Sequence, residues 1–204
     1  MKKDKYDIIL NAAKNVFAEG GYHGSSISKI AKEAGLGDGT IYLYFKNKED
    51  ILLHLFDKSI FHALIPQTEE AIKYSDDPRV MLYELIRSYF TFFGSDYELS
   101  RVIQIEFRQP NANTRNITKK GVKRYFEFIA MIVEKGKKQG IFRNDVKASS
   151  IHKMIFGTLD EFVTAWVLAE NKYELISKVE DAYKLIIQSI YNLKNYEKDI
   201  WLGM

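Results

Sequence analysis

The sequence predicts an all-α protein: a three-helix N-terminal unit over residues 1–48 and a larger helical region over 49–204, about nine helices together. Three observations carry this expectation. Apolar residues recur at three- and four-residue spacing along almost the whole chain, which is the period of one helix face. Proline occurs only at Pro66, Pro78 and Pro110, so few helices need be interrupted. Between Ser26 and Phe45, two short helical patterns flank a turn marked by Gly35 and Gly37. With 46% of its 204 residues hydrophobic, the chain can bury a core.

The elements follow in order. Ile8, Ile9, Ala12, Ala13, Val16 and Phe17 form the first apolar stripe, which Gly20-Gly21 stops. Ser26 suits the cap of a second helix with Ile27, Ile30, Ala31 and Ala34 on its inner face. A short third helix is expected from about Asp38 to Tyr44. After Lys46-Asn47-Lys48, a long fourth pattern starts at Ile51, Leu52, Leu55 and Phe56 and runs toward Tyr74. Asp77-Pro78 supplies a capping carboxylate and a proline at the first helical position, ahead of the stripe Leu82, Leu85, Ile86, Tyr89, Phe90 and Phe93. The next helix, about Tyr97 to Gln109, is apolar on nearly every side through Val102, Ile103, Ile105 and Phe107, so it should be central. Pro110 closes it. Further helices are expected at about Thr114 to Gln139, Lys147 to Glu170 and Glu174 to Tyr196.

Composition removes several classes of function. Without cysteine there is no disulfide framework, thiolate metal site or cysteine nucleophile, which suits a reducing compartment; the expected location is the cytoplasm. The four histidines are scattered without metal-ligand spacing, so no metal is expected. No glycine-rich phosphate loop or nucleophile elbow is present, and neither enzyme activity nor a cofactor is expected. Charges break the N-terminal segment and the apolar run Ile155–Ala169, leaving neither a signal peptide nor a membrane span. Charge is uneven along the chain. Residues 1–48 hold eight lysines (Lys2, Lys3, Lys5, Lys14, Lys29, Lys32, Lys46, Lys48) against five acids (Asp4, Asp7, Glu19, Glu33, Asp38), the whole net charge of +3. A basic head suits attraction to phosphate.

The pattern over Ser26–Phe45 suggests a helix-turn-helix that lays its second helix in the major groove of DNA. Ile41 and Phe45 should anchor that helix inward, leaving Thr40, Tyr42 and Tyr44 outward, where hydroxyls can donate to phosphate and rings can touch sugar or thymine methyl. Lys48 and Lys29 are candidate backbone contacts. Alternating tyrosines suit a half-buried core equally well.

The run SISKIAKEAGLGDGTIYLYFKNKEDIL resembles the DNA-binding signature of the TetR family of bacterial transcriptional regulators, including its Gly-Thr-Ile-Tyr-x-Tyr-Phe-x-x-Lys-Glu run at Gly39–Glu49. The resemblance implies a homodimer whose heads bind palindromic double-stranded operators, and a C-terminal domain that binds a small hydrophobic effector. By motif position it implies DNA contacts from Thr40, Tyr42, Tyr44 and Lys48; Ser26, Lys29, Asp38 and Gly39 complete the candidate set. Two positions depart from the pattern. Gly37 stands where many members place serine or threonine, and Asp38, where they place a basic or polar residue, would repel phosphate unless it faces a cytosine amino group.

Three C-terminal pieces, Ile105–Gln109 with Asn111 and Arg115, Ile155–Glu161, and Trp166-Val167, resemble the FadR-type repressors of fatty-acid degradation. That resemblance implies a long-chain acyl-CoA effector. An acyl chain needs an apolar tunnel, since each methylene withdrawn from water contributes about 0.8 kcal/mol. Tyr89, Phe90, Phe93, Phe107, Phe126, Ile129 and Phe156 are candidate walls, and Arg108 and Arg115, with Lys119, Lys120, Lys123 and Arg124 nearby, are candidate phosphate ligands. Aromatic stripes at helical spacing also describe plain core. Thr158, Phe162 and Trp166 on the eighth helix and Ile186 and Ile190 on the ninth are candidates for a two-fold dimer contact, or for internal core. Two other functions fit the chain: a drug-sensing efflux repressor with Glu106, Asp160 or Glu161 facing a cationic ligand, and a helical lipid-carrier or protein-interaction module.

Overall fold

A computed structural model describes the backbone of residues 2–106 and 112–192 and the side chains of residues 5–105 and 119–192. Ten α-helices run in order among them: α1 (Lys2–Gly20), α2 (Ile27–Glu33), α3 (Asp38–Tyr42), α4 (Lys48–Ser59), α5 (Ile65–Ile72), α6 (Pro78–Gly94), α7 (Tyr97–Glu106), α8 (Ala112–Lys138), α9 (Ala148–Leu168) and α10 (Val179–Ile190). The described residues contain no strand, only one isolated antiparallel bridge between Phe142 and Tyr191. Contacts gather the chain into two compact units, Met1–Ala63 with Ser95–Gly121, and Leu64–Gly94 with Val122–Met204. This partition differs from the sequence division at 48/49, because α4 and α7 both pack against α1.

In the first unit, Ile9, Ala13 and Phe17 of α1 meet Ile30, Ala31, Ile41, Phe45, Ile51 and Leu52, all at most 2% exposed. Burying each large apolar side chain contributes about 1.5–3 kcal/mol, and this shared core fixes α3, which is too short to be stable alone. The helix expected to be central, α7, is only partly enclosed. Ser100, Val102, Ile103 and Gln104 are buried, but Ile105 is 41% exposed, so α7 covers α1 with one face only. Asp96 ties the start of α7 down, accepting from Leu99 N at 2.9 Å and from Lys14 Nζ at 2.6 Å. Within this unit α8 approaches α4 closely: a Cβ on Gly121 would stand 3.0 Å from Ile60 Cγ2 and 3.3 Å from Phe56 Cε1.

The fourth pattern, expected to continue unbroken toward Tyr74, is interrupted by a π-helical turn at Ile60–Leu64. Pro66 in the first turn of α5 explains the break. It has no N–H to donate, and its ring would clash with the carbonyl four residues back, which a wider turn relieves.

In the second unit, Asp77 starts α6 as expected, its carboxylate accepting from Arg79 N at 2.8 Å. The Arg79 guanidinium beside it holds that carboxyl below its ordinary pKa. Leu82, Leu85, Ile86, Tyr89 and Phe90 of α6 pack in a core with Tyr125, Ile129, Ile132 and Val133 of α8, Ile155, Leu159 and Val163 of α9, and Ala182 and Ile186 of α10. The last helix ends earlier than its apolar pattern. Tyr191 turns to extended backbone (φ −64°, ψ 147°), and Arg143 N donates to Ile190 O at 2.8 Å while Asn192 N donates to Ile141 O at 2.9 Å. These groups leave the helical ladder to clasp the turn after α8.

Candidate functional site

The candidate DNA-facing site is built on α2, α3 and the start of α4. Ser26, in extended conformation, caps α2 by accepting from Lys29 N at 3.2 Å. After α2 the chain reverses at Gly35, whose φ of +64° is a left-handed conformation costly for other residues, and Leu36 N returns to Ala31 O at 2.9 Å. Gly37 caps α3 without a side-chain hydrogen bond. The neighbouring Asp38 carboxylate accepts from the Ser28 hydroxyl, so it stitches α3 to α2. Sequence reasoning missed Ser28; its spacing of ten residues from Asp38 gives no periodic signal.

Ile41 and Phe45 point inward as expected, at 0% and 1% exposure. Phe45 is held by the ring of Tyr6, stacked at 5.3 Å, and by His54, edge-on at 5.4 Å; Tyr6 and His54 also share a hydrogen bond of 3.2 Å. His54 therefore serves packing, and among the described residues no group of three or more histidine, aspartate or glutamate side chains could hold a metal. The opposite face carries Tyr42, 58% exposed, with Gly39 open to solvent and Thr40 and Tyr44 half-buried.

The two lysines bend inward more than patterning suggests. Lys29 Nζ donates to Gly24 O at 2.7 Å. Lys48 Nζ donates to Tyr22 O at 2.6 Å and Ser25 O at 2.8 Å, and lies 4.3 Å from the centre of the Tyr22 ring. It braces the turn between α1 and α2 against the start of α4. Asn47 completes that helix start by accepting from Asp50 N at 2.8 Å.

In the second unit, the structure brings together most of the expected effector-site residues. Tyr89, Phe90, Phe93 and Ile129 are buried, and Phe126 and Phe156 are half-buried with ring centres 5.0 Å apart. The residue that joins them, Tyr125, was missed. Its ring lies 5.0 Å from Tyr89 and 6.3 Å from Phe156. Its hydroxyl donates to Leu85 O at 3.2 Å, and burial pushes its pKa well above the ordinary phenol value, keeping it protonated. Its place on the α8 stripe with Phe128, Ile129 and Ile132 was the available signal. Beside it, the Thr68 and Ser88 hydroxyls pair at 3.2 Å.

Phe107, Arg108 and the side chain of Arg115 lie outside the described residues. Lys119, Lys120, Lys123 and Arg124 are exposed on α8; Arg124 pairs with Glu127 at 2.8 Å and sits 5.1 Å from the Phe128 ring.

The expected dimer set needs correction. Trp166, Ile186 and Ile190 are 3%, 1% and 1% exposed within the single chain, and the Trp166 indole N–H donates to Tyr173 O at 2.7 Å. Residues already enclosed cannot face a partner. Thr158 and Phe162 remain half-exposed in a shallow groove along α9 with Met154, Gly157 and Ala165, although the Phe162 ring also reaches Phe90 at 5.7 Å.

Comparison with known proteins places both regions. Residues 9–55 match the family of bacterial regulatory proteins, tetR family, and residues 56–189 match the YsiA-like protein C-terminal region of that group. The chain belongs to the TetR family. It is 40% identical over 191 residues to the fatty acid metabolism regulator protein of Bacillus subtilis, covering 94% of this chain and 98% of that one. The crystal structure of the Bacillus subtilis transcriptional regulator FadR in complex with stearoyl-CoA superposes with a TM-score of 0.84 at 39% identity, over 91% of this chain and 100% of that chain. The fatty acid degradation regulator FadR from Bacillus halodurans also gives a TM-score of 0.84, at 38% identity, over 90% of this chain and 94% of that chain. As a TetR-family member the chain is a transcriptional regulator and not an enzyme. No helix among its described residues is long and apolar enough to cross a membrane.

Proposed function

We propose that this chain is a cytoplasmic transcriptional repressor of fatty-acid metabolism, bound as a homodimer to a palindromic operator and released by long-chain acyl-CoA. The observation that carries the effector assignment is the likeness, across nine-tenths of the chain, to a FadR structure that holds stearoyl-CoA. The aromatic cluster of the second unit supports it, because an acyl chain gains about 0.8 kcal/mol for each methylene it withdraws from water. Lys123, exposed on the same helix as Tyr125 and Phe126, supplies a cation suited to the phosphates of CoA.

At the head, Tyr42 with Thr40 and Tyr44 reads the major groove, and Ser26, Lys29, Asp38 and Gly39 border that face. Lys48 acts first as a brace that holds the reading face at its angle. Two such heads must meet half-sites about one helical turn apart or a multiple of it, which requires a dimer; Thr158 and Phe162 on α9 remain candidates for its contact. Acyl-CoA shifts the protein from the operator-bound form only by the difference in its affinity for the two forms.

Native mass spectrometry of the freshly purified protein tests the effector class. The expected result is a bound mass equal to CoA plus a long acyl chain, or uptake of added stearoyl-CoA. A protein that carries none and takes up none would contradict the assignment.

A further inference from the structure

We infer that Leu43 is a specificity-determining residue that selects thymine, through its C5 methyl, at one position of each operator half-site. This rests on the proposed DNA-reading role of the head and adds a base preference to it.

Leu43 is 82% exposed, the most exposed of the large hydrophobic side chains among the described residues. A single leucine on a surface is ordinary, so exposure alone decides nothing. Its setting decides more. Leu43 caps the C-terminus of α3 with helical dihedrals (φ −72°, ψ −19°), and its N–H donates to Thr40 O at 3.2 Å. On either side Ile41 and Phe45 are locked in the core at 0% and 1% exposure. The backbone between two such anchors has little freedom, and Leu43 is therefore held outward on a fixed element beside Tyr42.

The chemistry of the face narrows what it can meet. Asp38, Thr40, Tyr42 and Tyr44 each carry a group that can hydrogen-bond, and the Asp38 carboxylate already accepts from Ser28. Gly39 has no side chain. Leu43 alone in this segment projects outward without a polar atom. Against phosphate, or against a base edge bearing donors and acceptors, it would strip water and return no hydrogen bond. The major-groove edge offers one apolar feature, the C5 methyl of thymine, which cytosine lacks.

The test uses a duplex selected from a random pool by the wild-type protein, with each thymine replaced in turn by uracil. This deletes a methyl and leaves base pairing intact. For wild type, one symmetry-related position should lose roughly fourfold in affinity per methyl, the worth of one buried methyl-sized group. Leu43→Ala should bind the unmodified duplex more weakly and show no uracil effect at that position. The substitution removes atoms that lie outside any core, so melting should match wild type. A wild type indifferent to uracil everywhere, or a Leu43→Ala variant as sensitive as wild type, would overturn the inference while leaving DNA binding intact. A pool from which no duplex is retained would overturn the DNA-reading role together with it.

Discussion

The two compact units place their proposed functional residues on opposite sides of the same boundary, that between core and solvent. In the first, the core residues Ile41 and Phe45 are enclosed so that Tyr42 and its neighbours can stand outside. In the second, the residues proposed to meet the ligand, Tyr89, Phe90 and Phe93, are themselves enclosed. A protein that reads a rigid duplex needs a presented face, whereas one that holds an acyl chain needs an interior. The same residue type therefore takes different proposed roles in the two units: an aromatic ring outside α3 is a proposed contact, and one inside the α6–α8 cluster is core and a proposed wall.

Truncating one buried ring in each unit gives the largest expected effects. Phe45→Ala should cost about 3–5 kcal/mol and open the head in amide exchange, with acyl-CoA binding preserved. Phe90→Ala should cost a similar amount, about 3–5 kcal/mol, and in addition weaken acyl-CoA binding. If ligand binding survived Phe90→Ala unchanged, the aromatic cluster would be core alone and the contrast between the units would fail.

Tyr42→Ala should do the reverse. Fluorescence anisotropy should show a loss of operator affinity of roughly 5- to 150-fold, the value of about 1–3 kcal/mol for a good groove contact. Its melting temperature should stay close to wild type, because a side chain 58% exposed contributes little to the core. A large drop in melting temperature would return Tyr42 to the core.

A smaller effect separates brace from phosphate contact. Lys48→Met should weaken operator binding by disturbing the turn whose carbonyls at Tyr22 and Ser25 the ammonium holds. The slope of log affinity against log salt should remain as in wild type. A slope shallower by about 0.9 would instead count one lost phosphate contact.

Much of the helical architecture was legible because its signals are local. Stripes at three- and four-residue spacing, the Ser26 cap, the left-handed turn at Gly35 and the Asp77-Pro78 start each act within a few residues and appeared where expected. What the sequence hid depends on pairs distant along the chain. The early end of α10 follows from bridges to Ile141 and Arg143, and the exposure of Ile105 from the single face that α7 lays on α1. The Ser28–Asp38 stitch and the inward swing of Lys48 likewise require contacts that no periodicity encodes. Trp166, Ile186 and Ile190 show the same limit, since an apolar stripe looks alike whether a neighbouring helix or a second subunit covers it.

Acyl-CoA and operator are proposed to compete for two states of one protein, and a titration of labelled operator with and without stearoyl-CoA measures that competition. Saturating stearoyl-CoA should lower operator affinity by at least roughly tenfold, a coupling of about 1.4 kcal/mol. Operator affinity that stays the same while the protein is demonstrably loaded with acyl-CoA would contradict it.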